Sequence, residues 1–259
     1  VNKLGTGRAA EMLNKVPEVT AVFWLIKILS TTVGETGADY LAVHVGLGTA
    51  VTGALMLALL VLALFRQLNA TRYVPSTYWL TVVLVSIVGT QITDALTDTL
   101  GVSLYASTAV FAVALAATFL LWYRCERTLS IHTIVTRRRE LFYWAAILLT
   151  FALGTAAGDL ATEALGLGFR LGVVVFSALI GITALAYYLG GNAVLTFWVA
   201  YILTRPLGAS LGDLLSQASE YGGVGLGTVR TSIAFLTVIV ALVAWQSAIE
   251  RAPRGQTSR

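Results

Sequence analysis

Eight stretches of this chain are apolar enough and long enough to cross a lipid bilayer, and little sequence is left between them. They run over 19–41, 49–65, 77–100, 104–123, 141–165, 171–189, 193–215 and 228–249. A spanning helix needs about 20 mostly apolar residues. The 259 residues are 57% hydrophobic and 12% charged, with a mean hydropathy of +0.82. A soluble domain is about 45–50% apolar and about 25% charged. A soluble enzyme, a disordered chain and a coiled coil are therefore excluded. The expected fold is all-α and polytopic, with eight transmembrane helices in one membrane domain over 1–259.

Positive charge sets the expected orientation. With the N-terminus inside, the cytoplasmic segments hold Lys3, Arg8, Lys15, Arg66, Arg72, Arg124, Arg127, Arg137, Arg138, Arg139, Arg251, Arg254 and Arg259. The opposite side holds only Arg170 and Arg230, while Lys27 and Arg205 lie within spans. Both termini are thus expected in the cytoplasm. The net charge of +4 reflects this bias and gives no ground for nucleic-acid binding. The Arg137-Arg138-Arg139 run reads as a topology determinant that also suits anionic head groups. Val1-Asn2-Lys3 begins no cleavable signal pattern, so the first apolar stretch reads as a mature span. One cysteine, Cys125, excludes a disulfide framework. His44 and His132 lie too far apart in the chain for a His-rich metal site. No cofactor is expected.

The odd-numbered spans repeat one motif. An aromatic residue precedes Trp, Gly follows ten residues after the Trp, and Asp follows fifteen after it. The copies are Phe23-Trp24…Gly34…Asp39, Tyr78-Trp79…Gly89…Asp94, Tyr143-Trp144…Gly154…Asp159 and Phe197-Trp198…Gly208…Asp213. A small residue comes four after each Gly: Ala38, Thr93, Gly158 and Gly212. Three copies carry another Gly, twenty-two after the Trp: Gly46, Gly101 and Gly166. Copies over about 18–70, 73–127, 138–190 and 192–250 hold two spans each. Each copy therefore enters the membrane in the same direction, as a parallel repeat. The unit is a helical hairpin used four times.

These residues carry a family resemblance. The chain is similar to the bacterial membrane-protein family defined by a tandem repeat of unknown function, four copies of two spans with a marked tryptophan. The resemblance runs from about Lys15 to about Ala248. Its specific part is Lys15-Val16-Pro17-Glu18-Val19-Thr20, then Phe23-Trp24 and Thr31-Thr32-Val33-Gly34-Glu35. It implies the fold and a bacterial inner membrane, and brings no activity with it.

A helix advances about 100° per residue. With each Trp at 0°, the residues at +7, +11 and +15 fall within about 60° of it, and the small residues at +10 and +14 within about 80°. Each odd helix thus carries a small, polar stripe. Small residues four apart let helix backbones approach closely in lipid. Gly34, Gly89, Gly154, Gly158, Gly208 and Gly212 are the expected packing positions. The odd helices are expected to form an inner bundle and the even ones to face lipid. If the Trp residues sit in the inner aromatic belt, the Gly lies near the midplane and the Asp about 22 Å above the Trp.

Seven acids lie in or beside the odd helices: Glu35, Asp39, Asp94, Asp98, Asp159, Glu163 and Asp213. Only Lys27 and Arg205 oppose them there. Ionisable groups within a span are costly unless paired or hydrated, and so point to function. Glu35, Asp39, Asp94, Asp159 and Asp213 are the candidate ligands of a cation, either a hard metal ion or an organic cation. Alternatively they relay protons. Asp98 and Glu163 read more simply as exposed helix ends. Thr31, Thr32, Lys27 and Arg205 are the supporting polar groups. Arg205 is expected to pair with a bundle acid; Lys27 either snorkels to the inner surface or pairs with Glu35. Trp24, Trp79, Trp144 and Trp198 either pack and anchor or stack on a cation. Pro206 is expected to kink the last odd helix.

Three functions remain on this reading. The first is a transporter, for a cation, through an acid-lined bundle. The second is an intramembrane aspartyl enzyme, in which two Asp residues share a proton; four equivalent Asp residues exceed that need, and the expectation is that the chain is not an enzyme. The third is a scaffold or sensor held together by polar side chains.

Overall fold

The computed structural model describes residues 14–39 and 48–251, apart from the side chains of Ala38, Asp39, Thr49 and Arg251. Among these residues stand eight long helices: α1 (Ala21–Asp39), α2 (Gly48–Asn69), α3 (Pro75–Asp94), α4 (Leu104–Glu126), α5 (Arg137–Asp159), α6 (Gly168–Tyr188), α7 (Ala193–Ser216) and α8 (Thr228–Arg251). Seven of them, α2 to α8, are long and apolar enough to cross a membrane. The remaining helix, α1, has 19 residues. The protein is an all-helical membrane protein.

Local signals set the helix ends. Pro75 starts α3 in its first turn, where no helical N–H is lost. Ser103 caps α4, Thr136 caps α5 and Asn192 caps α7, each side chain accepting from a backbone N–H of the first turn. At the other end, α3 and α5 pass directly from the repeat Asp into a π turn, over Ala95–Thr99 and Leu160–Ala164. Gly101 and Gly166 then adopt the left-handed conformation, at φ 66° and 70°. That conformation favours glycine, which gives the Gly at +22 its purpose: it ends the inner helix. Its counterpart Gly46 lies outside the described residues.

The odd helices close a ring. α1 packs on α3, α3 on α5, α5 on α7, and α7 back on α1. Within their apolar windows, α3, α5 and α7 have 56–61% of residues buried, against 11–28% for α2, α4, α6 and α8. The even helices turn side chains such as Leu62, Val113, Ile182 and Val240 outward, as a lipid-facing layer should. Each outer helix packs mainly on the inner helix of the next copy: α2 on α3, α4 on α5, α6 on α7, and α8 on α1. Each sequence repeat thus holds one inner and one outer helix, and the packing runs from one repeat to the next.

Glycine makes the ring possible. A Cβ on Gly34 would stand 2.6 Å from the Ser86 Cβ, and one on Gly89 would stand 2.7 Å from the Phe151 Cβ. A Cβ on Gly154 would stand 2.5 Å from the Arg205 Cβ, and one on Gly208 would stand 2.6 Å from the Thr31 Cβ. In every case the Gly at +10 of one copy receives the residue at +7 of the next. α7 runs unbroken through Pro206, whose ring rests against Gly154 and Gly158 of α5.

At the Trp-bearing end a buried polar cluster ties loop to helix. Glu140, at 1% exposure, pairs with Lys15 at 2.8 Å and accepts from Gln67 Nε2 at 3.2 Å. Lys15 also donates to the Leu68 carbonyl. Replacing Glu140 with Leu leaves the buried Gln67 amide and the half-buried Lys15 amine each short of an acceptor. A loss of about 1–3 kcal/mol is expected, measurable as a lower midpoint of thermal unfolding in detergent; an unchanged midpoint would show the cluster to be dispensable.

Candidate functional site

The axis of the ring is built in layers, each taking one position from every copy. The first is an aromatic girdle. Phe23 meets Trp79 at 5.6 Å, Tyr78 meets Trp144 at 5.6 Å, Tyr143 meets Trp198 at 6.2 Å, and Phe197 meets Trp24 at 5.7 Å between ring centroids. The aromatic at −1 of each copy therefore packs on the Trp of the next copy, with the fourth closing on the first. Trp79, Trp144 and Trp198 are buried inside the protein, so they pack the bundle and do not anchor it in the lipid interface. The Tyr78 and Tyr143 hydroxyls share a hydrogen bond of 2.5 Å. Trp79 Nε1 donates to Gln246 Oε1, and Trp198 Nε1 to the Leu129 carbonyl. Tyr73, on the loop between α2 and α3, also donates to Gln246; burial pushes its phenol up, and it stays a donor.

Lys27, Val82, Ile147 and Tyr201 form the second layer, at +3, and all are fully buried. The Lys27 Nζ lies 3.9 Å from the Phe151 ring centroid and 4.3 Å from that of Tyr201. Among the described residues it has no hydrogen-bond partner. It neither snorkels nor pairs with Glu35: both alternatives read from the sequence give way to an enclosed amine between two aromatic faces. Such faces attract cations.

Arg205 dominates the third layer, at +7, with Thr31, Ser86 and Phe151. Its guanidinium is fully buried and bonded to each of the other three inner helices. Arg205 Nη1 donates to the Thr31 carbonyl of α1 at 2.7 Å. Nε and Nη2 donate to Thr155 Oγ1 of α5 at 3.0 and 2.8 Å. Nη2 also donates to Thr90 Oγ1 of α3 and pairs with Glu35 Oε2 of α1 at 2.6 Å. Arg205 thus finds its expected acid, and that acid is Glu35. Thr31 Oγ1 bonds back to the Ile28 carbonyl and across to the Thr204 carbonyl. Thr32 bonds back to Ile28 and adds its methyl to the contact with Gly212.

Above Arg205 the ring opens into an acid-lined cavity of about 220 Å³. Its walls are Glu35, Asp94, Asp98, Asp159, Glu163 and Asp213, with Thr97, Gln217, Leu104 and Phe169. Asp94, Asp159 and Asp213 are half-buried, whereas Asp98 and Glu163 are exposed at the mouth. The π turns after Asp94 and Asp159 keep Asp98 and Glu163 helical and aimed along the same wall. Among the described residues, six carboxylates and no basic side chain line the space. The candidate ligands Glu35, Asp94, Asp159 and Asp213 are therefore brought together. The side chain of the fifth, Asp39, lies outside the described residues. Among the described residues no three acid, His or Cys side chains stand close enough together to hold a metal ion.

A family model described as "Repeat of Unknown Function (DUF347)" matches the chain four times, at residues 22–73, 77–128, 142–191 and 196–252. The chain belongs to the DUF347 family. No curated protein and no solved structure matches it. Each DUF347 copy contributes one inner helix to the axis, and the copies differ where the chemistry is. Charged residues at +3, +7 and +11 occur once each: Lys27 in copy one, Arg205 in copy four and Glu35 in copy one. Carboxylates at +15 recur in all four copies. Position +19 carries Asp98, Glu163 and Gln217 in copies two, three and four. Sequence reasoning missed Gln217, Thr90 and Thr155 as site residues. Extending the DUF347 register four residues beyond the Asp finds Gln217, and reading it at +11 finds the two threonines beside Glu35.

Proposed function

We propose that this protein is a membrane transporter of cations, with the acid-lined cavity as the entrance to its pathway. One observation carries the reading: six carboxylates surround a cavity on the axis of a four-repeat bundle, and one of them, Glu35, also holds the charge that closes its floor. Groups that cost so much within a bilayer favour a functional role. The placement fits the positive-inside bias: with both termini in the cytoplasm of a bacterial inner membrane, the cavity faces outward. Because no three acids among the described residues stand close enough together to hold a metal ion, a cation that keeps its water or carries its charge on an organic head group is favoured over a metal ion stripped of water.

Uptake by sealed vesicles holding the purified protein tests the proposal. Asp159→Asn is expected to lower cation flux at least about tenfold, if the charge it removes stabilises the bound cation by about 1.4 kcal/mol. Wild-type vesicles that move no inorganic or organic cation above the level of empty vesicles would sink it. The competing scaffold reading draws on the bonds from Arg205 to three neighbouring helices, which hold the bundle together. It expects stability to be indifferent to added cations, whereas a bound cation raises the unfolding midpoint.

A further inference from the structure

Glu35 belongs to two structures at once. It lines the cavity, and its Oε2 receives the Arg205 guanidinium at 2.6 Å. The guanidinium's other hydrogen-bond partners are acceptors: the Thr31 carbonyl and the hydroxyls of Thr90 and Thr155. Carboxylate, carbonyl and hydroxyl oxygens arranged around a planar fork of N–H donors make a recognition site for that fork. The Phe151 ring adds an aromatic face, with its centroid 6.0 Å from the Arg205 Cζ. The head group that fits here is already present, attached to α7.

We infer that Arg205 is a tethered occupant of a cation site, and that the site takes organic cations with a guanidinium or alkylammonium head. The inference deepens the transport reading and rests on it for the route of entry. A free cation that passes Asp98 and Glu163 at the mouth of the cavity reaches Glu35 at its floor and competes with Arg205 for it. Leu104 and Phe169 in the cavity wall suit the apolar part of such a molecule. The arrangement also explains why Arg205 occurs in one copy only: a single plug closes a ring that four would overfill.

The test measures thermal unfolding in detergent with methylguanidinium chloride, against sodium chloride at equal ionic strength. Wild type is expected to shift little, because its site is filled. Arg205→Ala opens the site, and methylguanidinium should raise its midpoint by about 5 °C or more at a hundred times its dissociation constant. Arg205→Ala/Glu35→Gln should show no such rise. Arg205→Lys retains a charge but loses the fork; its shift should lie between wild type and Arg205→Ala, and it serves if the alanine variant does not fold. Equal shifts in the single and double variants, or no shift in either Arg205→Ala or Arg205→Lys, would overturn the inference. Vesicle uptake reads the transport proposal separately: a Glu35-dependent shift supports the occupant whether or not the vesicles move methylguanidinium, and the transport reading falls if wild-type vesicles move no cation of any kind.

Discussion

Arg205→Met is expected to lower the stability of the folded protein by about 3–5 kcal/mol, the usual result of stranding one partner of a buried ion pair. Glu35 would lose its ion-pair partner, and Thr90 and Thr155 would lose a charged donor. The double variant Arg205→Met/Glu35→Met removes both charges and should recover most of the loss. Unfolding of the two variants and their single-site parents forms a cycle that isolates the pair. A double variant as unstable as Arg205→Met alone would show that Arg205 acts through the threonines and the Thr31 carbonyl, with Glu35 a bystander.

Gly208→Leu is expected to damage the ring more severely than any substitution on the outer layer. A Cβ there would collide with Thr31 Oγ1 and stand 3.1 Å from the Thr32 backbone nitrogen. The nitrogen cannot rotate away, so α1 and α7 must separate. Overpacking of a dense core costs about 1–3 kcal/mol and at times more; here the upper end or beyond is expected, because the displaced helices also carry Glu35 and Arg205. Gly53→Ala on α2 is the matched control, since a Cβ at Gly53 meets nothing within 4 Å. It should be neutral or stabilising by about 0.5–1 kcal/mol, as expected for alanine replacing glycine in a helix. Yields of folded protein and unfolding midpoints read both. A Gly208→Leu protein as stable as wild type would show that the inner helices do not need their close approach.

Much of this architecture was legible before any coordinates. Hydropathy marks the spans, and the Trp, Gly and Asp offsets separate inner helices from outer ones because small residues and acids both avoid lipid. Arg205 was readable as half of an ion pair because it lies too deep to snorkel. Its partner was not readable, and neither was the fate of Lys27. Periodicity gives each residue an angle and a depth on its own helix. It leaves open how one helix is staggered against the next. That stagger sets +7 of one copy against +10 of its predecessor, which brings Arg205 to Glu35 and leaves Lys27 facing Phe151 and Tyr201. The Trp residues illustrate the same limit. An apolar ring with one N–H suits the lipid interface and a protein interior equally well, and only the ring closure puts Trp79, Trp144 and Trp198 inside.

The order in which the copies pack also sets a schedule for synthesis. Glu35 emerges from the ribosome with the first span, and Arg205 is 170 residues further along. At about 5–20 residues per second, the interval is roughly ten to thirty seconds. Throughout that time α1 stands in or beside the bilayer with Lys27 and Glu35 on one face, and its covering helix, α8, is the last of the eight to be made. Full burial of α1 therefore waits until α7 and α8 arrive to complete the circle.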